Sequence, residues 1–228
     1  MTGMLASVNS KEEALLVLNA NVDIIDLKQP SKGALGALEV EQVADIVKVI
    51  KNQSLISATI GDLPMQPDLI FNAVQLMAAT GVDYVKIGIF PQGDSMATLT
   101  KLAELNHLNF SLIAVLFADA LPCLSILEVL KNVGFKGVML DTMDKKSGSL
   151  VQLMDLKQIT NFITQAKQQH LLSGLAGSLR EVDINKLQAL NPDYLGFRGA
   201  LCQQHNRIAQ LNNPAIIRIQ QMIKQLAY

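Results

Sequence analysis

The amino-acid sequence predicts an α/β fold, a single closed (β/α)8 TIM barrel over residues 1–228, from three observations. Short apolar runs rich in β-branched residues alternate with amphipathic stretches, a pattern typical of parallel βαβ units. The alternation repeats eight times with an average of about 28 residues per repeat, enough for a minimal strand, loop and helix. No linker rich in Pro, Gly or Ser divides the repeats. We therefore predict one barrel domain.

Each predicted strand is a short apolar run, and most of these runs end in polar residues. The predicted strands are residues 4–8, 23–28, 55–60, 84–89, 110–117, 137–141, 171–175 and 194–197. The predicted helices are residues 10–20, 39–51, 67–80, 95–105, 124–133, 155–169, 181–190 and 213–227. The same alternation also suits a doubly wound open sheet, which is the structural alternative at this point.

The composition narrows the class of protein and its partners. Half of the residues are hydrophobic and only 17% are charged, below the roughly 25% of an ordinary soluble chain, so a large buried core is expected. A net charge of −1 without a basic run argues against nucleic acid as a partner. The first residues lack signal-peptide character and no apolar run is long enough to span a membrane. We expect a cytoplasmic protein.

Neither the cysteines nor the histidines have the spacing of a metal site. Cys123 and Cys202 are isolated, which favours reduced, structural thiols. His107, His170 and His205 are scattered, which favours surface or capping roles. We therefore expect no bound metal.

Charged residues near the carboxyl ends of the even-numbered strands form the candidate site. In the second strand Asp26 and Lys28 share one face, because side chains alternate along a strand. If the intervening apolar residues pack against helices, this pair faces the barrel axis. Lys86 in the fourth strand and Asp141 in the sixth lie at comparable positions. Inward side chains of alternate strands form layers in such barrels, so these four residues are predicted to meet.

Two interpretations of this cluster are open, a buried salt-bridge cluster or a catalytic site. The excess of lysines favours chemistry, since a third, Lys145, follows Asp141 by four positions. A neutral lysine amine attacks carbonyl groups, but an ordinary lysine has a pKa of about 10.4. Burial and a neighbouring cation lower such a pKa. We predict Lys28 as a Schiff-base nucleophile, with Asp26 and Asp141 transferring protons.

Glycine-containing turns after the last two strands indicate a phosphorylated ligand. Gly177 and Ser178 follow the seventh strand, and Arg198 and Gly199 follow the eighth. Barrels often bind phosphate at this place through backbone N–H groups and the N-terminus of a following helix. Further candidates for the pocket wall, with solvated loop positions as the alternative, follow the odd-numbered strands: Ser7, Thr59, Asp62 and Asp119.

Several segments together resemble the (5-formylfuran-3-yl)methyl phosphate synthase family, and the similarity spans most of the chain. They are Asp23-Ile-Ile-Asp26-Leu-Lys28, Lys32-Gly-Ala-Leu-Gly36, Ser57-Ala-Thr-Ile-Gly61-Asp62, Asp83-Tyr-Val-Lys86-Ile-Gly88, Ala118-Asp119-Ala120, Met139-Leu-Asp141-Thr142, Leu175-Ala-Gly-Ser178 and Arg198-Gly-Ala200. The resemblance implies a TIM-barrel lyase of methanofuran biosynthesis that condenses two triose phosphates without an external cofactor. It also implies a Schiff-base lysine at Lys28 and further catalytic residues at Asp26, Lys86, Asp141 and Lys145.

Two other functions remain as alternatives. One is another phosphate-binding barrel enzyme, a Schiff-base aldolase or a sugar-phosphate epimerase. The other is a non-catalytic barrel that binds a phosphorylated metabolite. A homo-oligomer is also possible from sequence, because Ile216, Ile217 and Ile219 of the last helix suit either a partner subunit or the barrel itself.

Overall fold

The computed structural model describes residues 2–50, 52–105, 109–144 and 147–225. Eight parallel strands close into a barrel in sequence order, and the eighth pairs with the first. The strands are β1 (Gly3–Val8), β2 (Ile24–Leu27), β3 (Leu55–Thr59), β4 (Tyr84–Gly88), β5 (Ser111–Phe117), β6 (Gly137–Asp141), β7 (Leu172–Leu175) and β8 (Tyr194–Phe197). The (β/α)8 barrel prediction is confirmed, and the pairing of β8 with β1 rules out the open sheet.

Helices follow the strands and form the outer layer. They are α1 (Lys11–Asn19), α2 (Val40–Ile50), α3 (Pro67–Ala78), α4 (Ser95–Leu102), α5 (Ile126–Val133), α6 (Leu150–Leu153), α7 (Leu156–Gln168), α8 (Ile184–Gln188) and α9 (Asn213–Gln225). Side-chain caps mark several of the starts. Ser10 accepts from the backbone N–H of Glu13, and Asp155 accepts from that of Gln158, which satisfies donors that the first helical turn leaves unpaired.

The structure differs from the sequence prediction mainly around β6 and β7. The one-turn helix α6 precedes α7 and is separated from it by Met154 and Asp155, whose backbones are extended. The predicted helix at 181–190 is instead a 3-10 turn at Glu181–Asp183 followed by α8. A four-residue helix is too short to show helical periodicity. Periodicity also does not distinguish a 3-10 turn from the first turn of an α-helix, so neither feature could be predicted from the sequence.

The strands separate two layers of buried side chains. Ile25 and Leu27 of β2 belong to the larger core between the barrel and its helices. Leu5, Ile24 and Met139 belong to a smaller cluster inside the barrel. Because neighbours along a strand point to opposite faces, Asp26 lies on the inner side, as predicted.

The last helix packs on the barrel with most of its apolar face. Ile216 and Ile219 are fully buried, whereas Ile217 is 43% exposed. The first two isoleucines therefore belong to the core of this chain. Within the described ranges, no helix is both long enough and apolar enough to cross a membrane. Both cysteines are free thiols; Cys202 is buried and Cys123 is exposed.

Candidate active site

Asp26 lies at the centre of a hydrogen-bond network inside the barrel. Its Oδ1 accepts from Lys86 Nζ at 2.9 Å and from Ser57 Oγ at 2.7 Å. Its Oδ2 accepts from Ser7 Oγ at 2.8 Å. Two of these donors come from β1 and β3, which flank β2, and the third comes from β4, the next strand around the barrel. The carboxylate of Asp26 is fully buried, and its partners hold it in one orientation.

The surroundings of Asp26 keep it ionised. Burial alone raises the pKa of Asp26, because a charge is poorly solvated inside the protein. The ammonium groups of Lys86 and Lys28 and the hydrogen bond from Ser57 outweigh this effect and hold the pKa below its ordinary value. At neutral pH Asp26 is therefore a fixed negative charge between two lysines.

Lys28, Lys86 and Asp141 line one cleft of about 180 Å³ at the mouth of the barrel. All three side chains are buried. Lys28 directly follows β2, and its backbone N–H donates to Val8 O at 3.0 Å. Asp141 ends β6, and its Oδ1 accepts from the backbone N–H of Thr142 at 2.7 Å. The structure thus brings the even-strand residues together. Lys145 lies outside the described residues.

A second, apolar cavity of about 30 Å³ lies inside the barrel and also reaches Lys86. Tyr84 and Tyr194 contribute to its wall, and burial raises the pKa of both phenols. Lys86 therefore contacts both the polar cleft and the apolar interior. Its ammonium group is held out of bulk water and paired with Asp26.

Two aspartates after odd-numbered strands hold the loops that follow the even ones. Asp62, beyond β3, accepts from the backbone N–H groups of Ala34 at 2.8 Å and Leu35 at 2.7 Å. Asp119, beyond β5, accepts from Met143 N at 2.9 Å and Asp144 N at 2.7 Å. Asp119, predicted to contact substrate, thus anchors the loop after Asp141.

The predicted phosphate turns after β7 and β8 belong to the same cleft. Gly177, Ser178 and Gly199 all line it. Gly177 and Ser178 have successive positive φ angles of 100° and 53°, a turn conformation typical of backbone anion sites. A Cβ on Gly177 would lie 2.9 Å from Thr142 Cγ2. Glycine is therefore required here by both conformation and space.

Arg198 lines the same cleft, but its guanidinium is engaged within the protein. Nε donates to Arg207 O at 2.8 Å, and Nη1 donates to Ser7 O at 3.2 Å. Both terminal nitrogens also bond the Glu13 carboxylate, and Nη2 reaches Ala209 O at 3.1 Å. All five N–H groups of an arginine are thereby used. In this structure Arg198 connects β1, α1 and the loop after β8, with no donor left for a phosphate.

Sequence reasoning missed two other arginines that line the cleft, Arg180 and Arg207. Arg207 Nη2 donates to Gly33 O at 2.8 Å and so bridges the loops after β8 and β2. Burial lowers the pKa of Arg207, and the negative charges of Asp141 and Asp62 oppose this. The sequence signal that could have found them is their position, since Arg180 follows Ser178 by two residues and Arg207 follows Gly199 by eight. His205, expected at the surface, is exposed and also lines the cleft.

The two remaining candidates for the pocket wall, Ser7 and Thr59, donate hydrogen bonds within the protein. Ser7 donates to Asp26, as described above, and Thr59 Oγ1 donates to Gly36 O at 3.1 Å. Among the described residues, no group of three or more His, Cys, Asp or Glu side chains is arranged to hold a metal ion.

The fold and site together define a class, that of (β/α)8-barrel enzymes with buried lysines and carboxylates at the mouth and glycine turns after the last two strands. The family described as 4-HFC-P synthase matches residues 4–220. The chain belongs to this family.

Relatives along most of the chain carry related names. A protein of Methylorubrum extorquens, provisionally named (5-formylfuran-3-yl)methyl phosphate synthase, is 39% identical over 93% of this chain and 88% of its own length. The (5-formylfuran-3-yl)methyl phosphate synthase of Methanopyrus kandleri is 30% identical over 90% of this chain and 91% of its own.

Solved structures with the same architecture are more distant in sequence. Phosphoribosyl anthranilate isomerase from Thermus thermophilus superposes with a TM-score of 0.70 at 12% identity, covering 99% of this chain and all of its own. A 3-hexulose-6-phosphate synthase gives 0.65 at 16% identity, covering 97% of this chain and all of its own. At these identities the likeness concerns the barrel fold alone.

Proposed function

We propose that this protein is a (5-formylfuran-3-yl)methyl phosphate synthase of methanofuran biosynthesis, a carbon–oxygen lyase that condenses two triose phosphates through a lysine Schiff base. Membership of the family and the names of its relatives support the reaction. The observation that carries the mechanism is the burial of Lys28 and Lys86 around the ionised Asp26, at a cleft shared with Asp141.

Lys28 is the proposed nucleophile. Its ammonium group first transfers a proton to Asp141, the proposed base, and the neutral amine then attacks the carbonyl carbon of a triose phosphate that has been isomerised to its dihydroxyacetone form. Loss of water gives an iminium ion. Loss of a proton from the adjacent carbon gives an enamine, which attacks the aldehyde carbon of a second triose phosphate. Ring closure and eliminations release the amine. The atoms balance when two triose phosphates lose one inorganic phosphate and two waters.

The other members of the cluster take complementary roles. Lys86, paired with Asp26, supplies a fixed positive charge beside the reacting carbonyl and stabilises negative charge that develops on its oxygen. Asp26 is ionised in the resting site, where it orients Lys86 and balances charge, so any part it takes in proton transfer begins with accepting a proton. Asp141 is the proposed acid and base for dehydration and enamine formation. Lys145, which lies outside the described residues, is proposed as a further catalytic residue.

The phosphoryl group of the substrate binds at the turns after β7 and β8. In the part of the chain that the structure describes, the backbone N–H groups of Gly177, Ser178 and Gly199 make no hydrogen bond, which leaves them available to phosphate oxygens. A cleft of about 180 Å³ is smaller than the roughly 300–1,000 Å³ pockets of drug-sized ligands, as suits small phosphorylated sugars. Asp119 and Arg198 act by holding the loops that carry these groups.

Incubation with glyceraldehyde 3-phosphate tests the reaction. We expect a new ultraviolet chromophore from the conjugated furan and release of inorganic phosphate in a one-to-one ratio. An aldolase or epimerase gives neither signal, and a non-catalytic binding protein leaves the substrate unchanged. Phosphate release without a furan chromophore would overturn the proposal.

Trapping with borohydride tests the nucleophile. Borohydride reduces an iminium ion to a stable amine, so substrate and reductant together should add a fragment to Lys28, detectable by peptide mass spectrometry. Lys28→Ala should lose both the adduct and phosphate release. The matched control is Lys48→Ala on the outer surface of α2, where the lysine pairs with Asp45. It should keep both signals. An adduct on Lys86 in the wild-type protein would reverse the roles of the two lysines.

A further inference from the structure

Arg180 contains a buried donor atom without a partner. Its Nη1 is buried and makes no hydrogen bond to any residue in the described part of the chain. Buried polar groups in native proteins are nearly always hydrogen-bonded, because an unpaired one forfeits its hydration. This nitrogen also belongs to a cation, which makes the cost larger. An unpaired buried donor at the wall of a cleft indicates that a ligand binds there.

The guanidinium groups of the two other arginines that line the cleft donate hydrogen bonds to acceptors in the protein. Arg198 uses all five of its N–H groups on protein acceptors, and Arg207 donates to Gly33 O. The arginine ion pairs among the described residues are those of Arg198 with Glu13 and of Arg218 with Glu181. Among the described residues, Arg180 therefore lacks the carboxylate partner that Arg198 has.

The position of Arg180 connects it with the two glycine turns. It follows the Gly177–Ser178 turn by two residues, and a Cβ on Gly199 would lie 3.8 Å from its Nη1. Both turns have backbone N–H groups that bond nothing in the described chain. Side-chain and backbone donors thus converge on one small region of the cleft, and all of them are of the kind that a phosphate dianion accepts.

We propose that Arg180 binds the phosphoryl group of the substrate together with the backbone N–H groups of Gly177, Ser178 and Gly199. The assignment rests on the proposed function and deepens it, because it names the side chain that recognises the phosphorylated substrate. Arg198 is the positioning residue that ties the following loop to the barrel, and Arg180 is the ligand. A dianion beside Arg180 supplies both the missing acceptor and the missing counter-charge.

Inorganic phosphate is the direct probe of this site, since its binding requires no turnover. A ligand that binds only the folded state raises the melting temperature, so phosphate titrated at constant ionic strength should stabilise the wild-type protein. Arg180→Gln should weaken phosphate binding at least about tenfold, as expected for the loss of a charge-assisted hydrogen bond. Arg180→Lys keeps the charge and should recover part of the affinity.

Arg218→Gln is the matched control. Arg218 is an exposed arginine that pairs with Glu181, the residue next to Arg180. The phosphate affinity of the Arg218→Gln protein should lie within twofold of the wild-type affinity. Without phosphate, Arg180→Gln should melt at or above the wild-type temperature, because it removes a cationic side chain whose buried Nη1 has no partner in the described chain. A merely structural arginine would instead lower the melting temperature.

Two results would overturn the assignment: phosphate that stabilises Arg180→Gln as much as wild type, or a wild-type protein that phosphate does not stabilise. Turnover separates this proposal from the proposed function. If both hold, Arg180→Gln raises KM for glyceraldehyde 3-phosphate about tenfold with a smaller fall in kcat. Phosphate binding that depends on Arg180, without furan formation by wild type, would uphold the assignment and reject the synthase. Furan formation without any phosphate stabilisation would do the reverse.

Discussion

Lys86 Nζ lies 2.9 Å from Asp26 Oδ1, and the two side chains are 4% and 0% exposed. The attraction of this pair must offset the desolvation of both charges, so removing one partner leaves an uncompensated charge in the barrel. Lys28 adds a second positive charge to the same carboxylate. The same ion pair therefore affects both the stability of the fold and the proposed reaction.

Asp26→Asn should destabilise the protein by about 3–5 kcal/mol, because it strands the Lys86 ammonium without its counter-ion. Urea denaturation monitored by circular dichroism measures this change. Asp45→Asn, at an exposed pair with Lys48, should leave stability unchanged within error. The double variant Asp26→Asn with Lys86→Met should be more stable than Asp26→Asn alone. Equal stability of the single and double variants would mean that the pair is not coupled.

The lowered pKa of Asp26 predicts a specific acid dependence of stability. An unfolded aspartate takes up a proton near its ordinary pKa of about 3.9, whereas Asp26 in the folded protein does so only at lower pH. Its contribution is therefore present above about pH 4 and is lost as the pH falls from there through the folded-state pKa. Urea midpoints from pH 6 to pH 3 should fall more steeply for wild type than for the Asp26→Asn, Lys86→Met double variant. Parallel curves would contradict the lowered pKa.

Asp119→Ala should lower kcat about tenfold or more while changing KM less. The substitution removes the acceptor of the Met143 and Asp144 N–H groups and loosens the described residues that directly follow Asp141, and small misplacements of catalytic groups are costly. Steady-state kinetics on glyceraldehyde 3-phosphate measures the effect. Asp94→Ala removes a comparable cap, the acceptor of Ala97 N at the start of α4, and should leave kcat unchanged. A rate loss in both variants would indicate a general effect of destabilisation.

Glu13→Gln should destabilise the protein by about 1.5–3 kcal/mol, because it weakens charge-assisted hydrogen bonds to the buried Arg198. It should also increase hydrogen exchange in the loop at residues 203–211, whose carbonyl groups Arg198 holds. Glu181→Gln, in the more exposed pair with Arg218, serves as the control and should leave that exchange unchanged. Slow exchange in the loop of Glu13→Gln would show that Arg198 does not anchor it.

Gly177→Ala should cost more stability and more activity than Gly61→Ala. Both glycines have positive φ, 100° and 101°, so both substitutions incur backbone strain of about 1–2 kcal/mol. At Gly61 the nearest atom to a new Cβ is at an ordinary 3.8 Å, whereas at Gly177 Thr142 Cγ2 is at 2.9 Å. Thermal melts and furan formation report the difference. Equal losses would mean that Thr142 and its neighbour Asp141 move aside freely.

Strand alternation in the sequence determined which side chains face the barrel axis. Asp26 must face away from Ile25 and Leu27 once those two pack against helices, because side chains along a strand alternate. The same local rule applies to Lys86 and Asp141. Eight repeats without a linker also favoured one closed barrel, although periodicity could not decide closure. The glycine turns after β7 and β8 could likewise be predicted from the sequence, since left-handed backbone conformations favour Gly.

Only the tertiary structure decided what the charged groups bond. Arg198 and Glu13 are 185 residues apart in sequence. The donors of Arg198 are all occupied, whereas Arg180 has a buried nitrogen without a partner in the described chain. The local sequence around the two arginines does not reveal this difference. The sequence predicted Asp119 in the pocket wall, whereas the structure shows that it accepts hydrogen bonds from backbone N–H groups 24 and 25 residues away. Periodicity records which face a residue occupies. The partner it meets there depends on how distant loops pack around the mouth of the barrel.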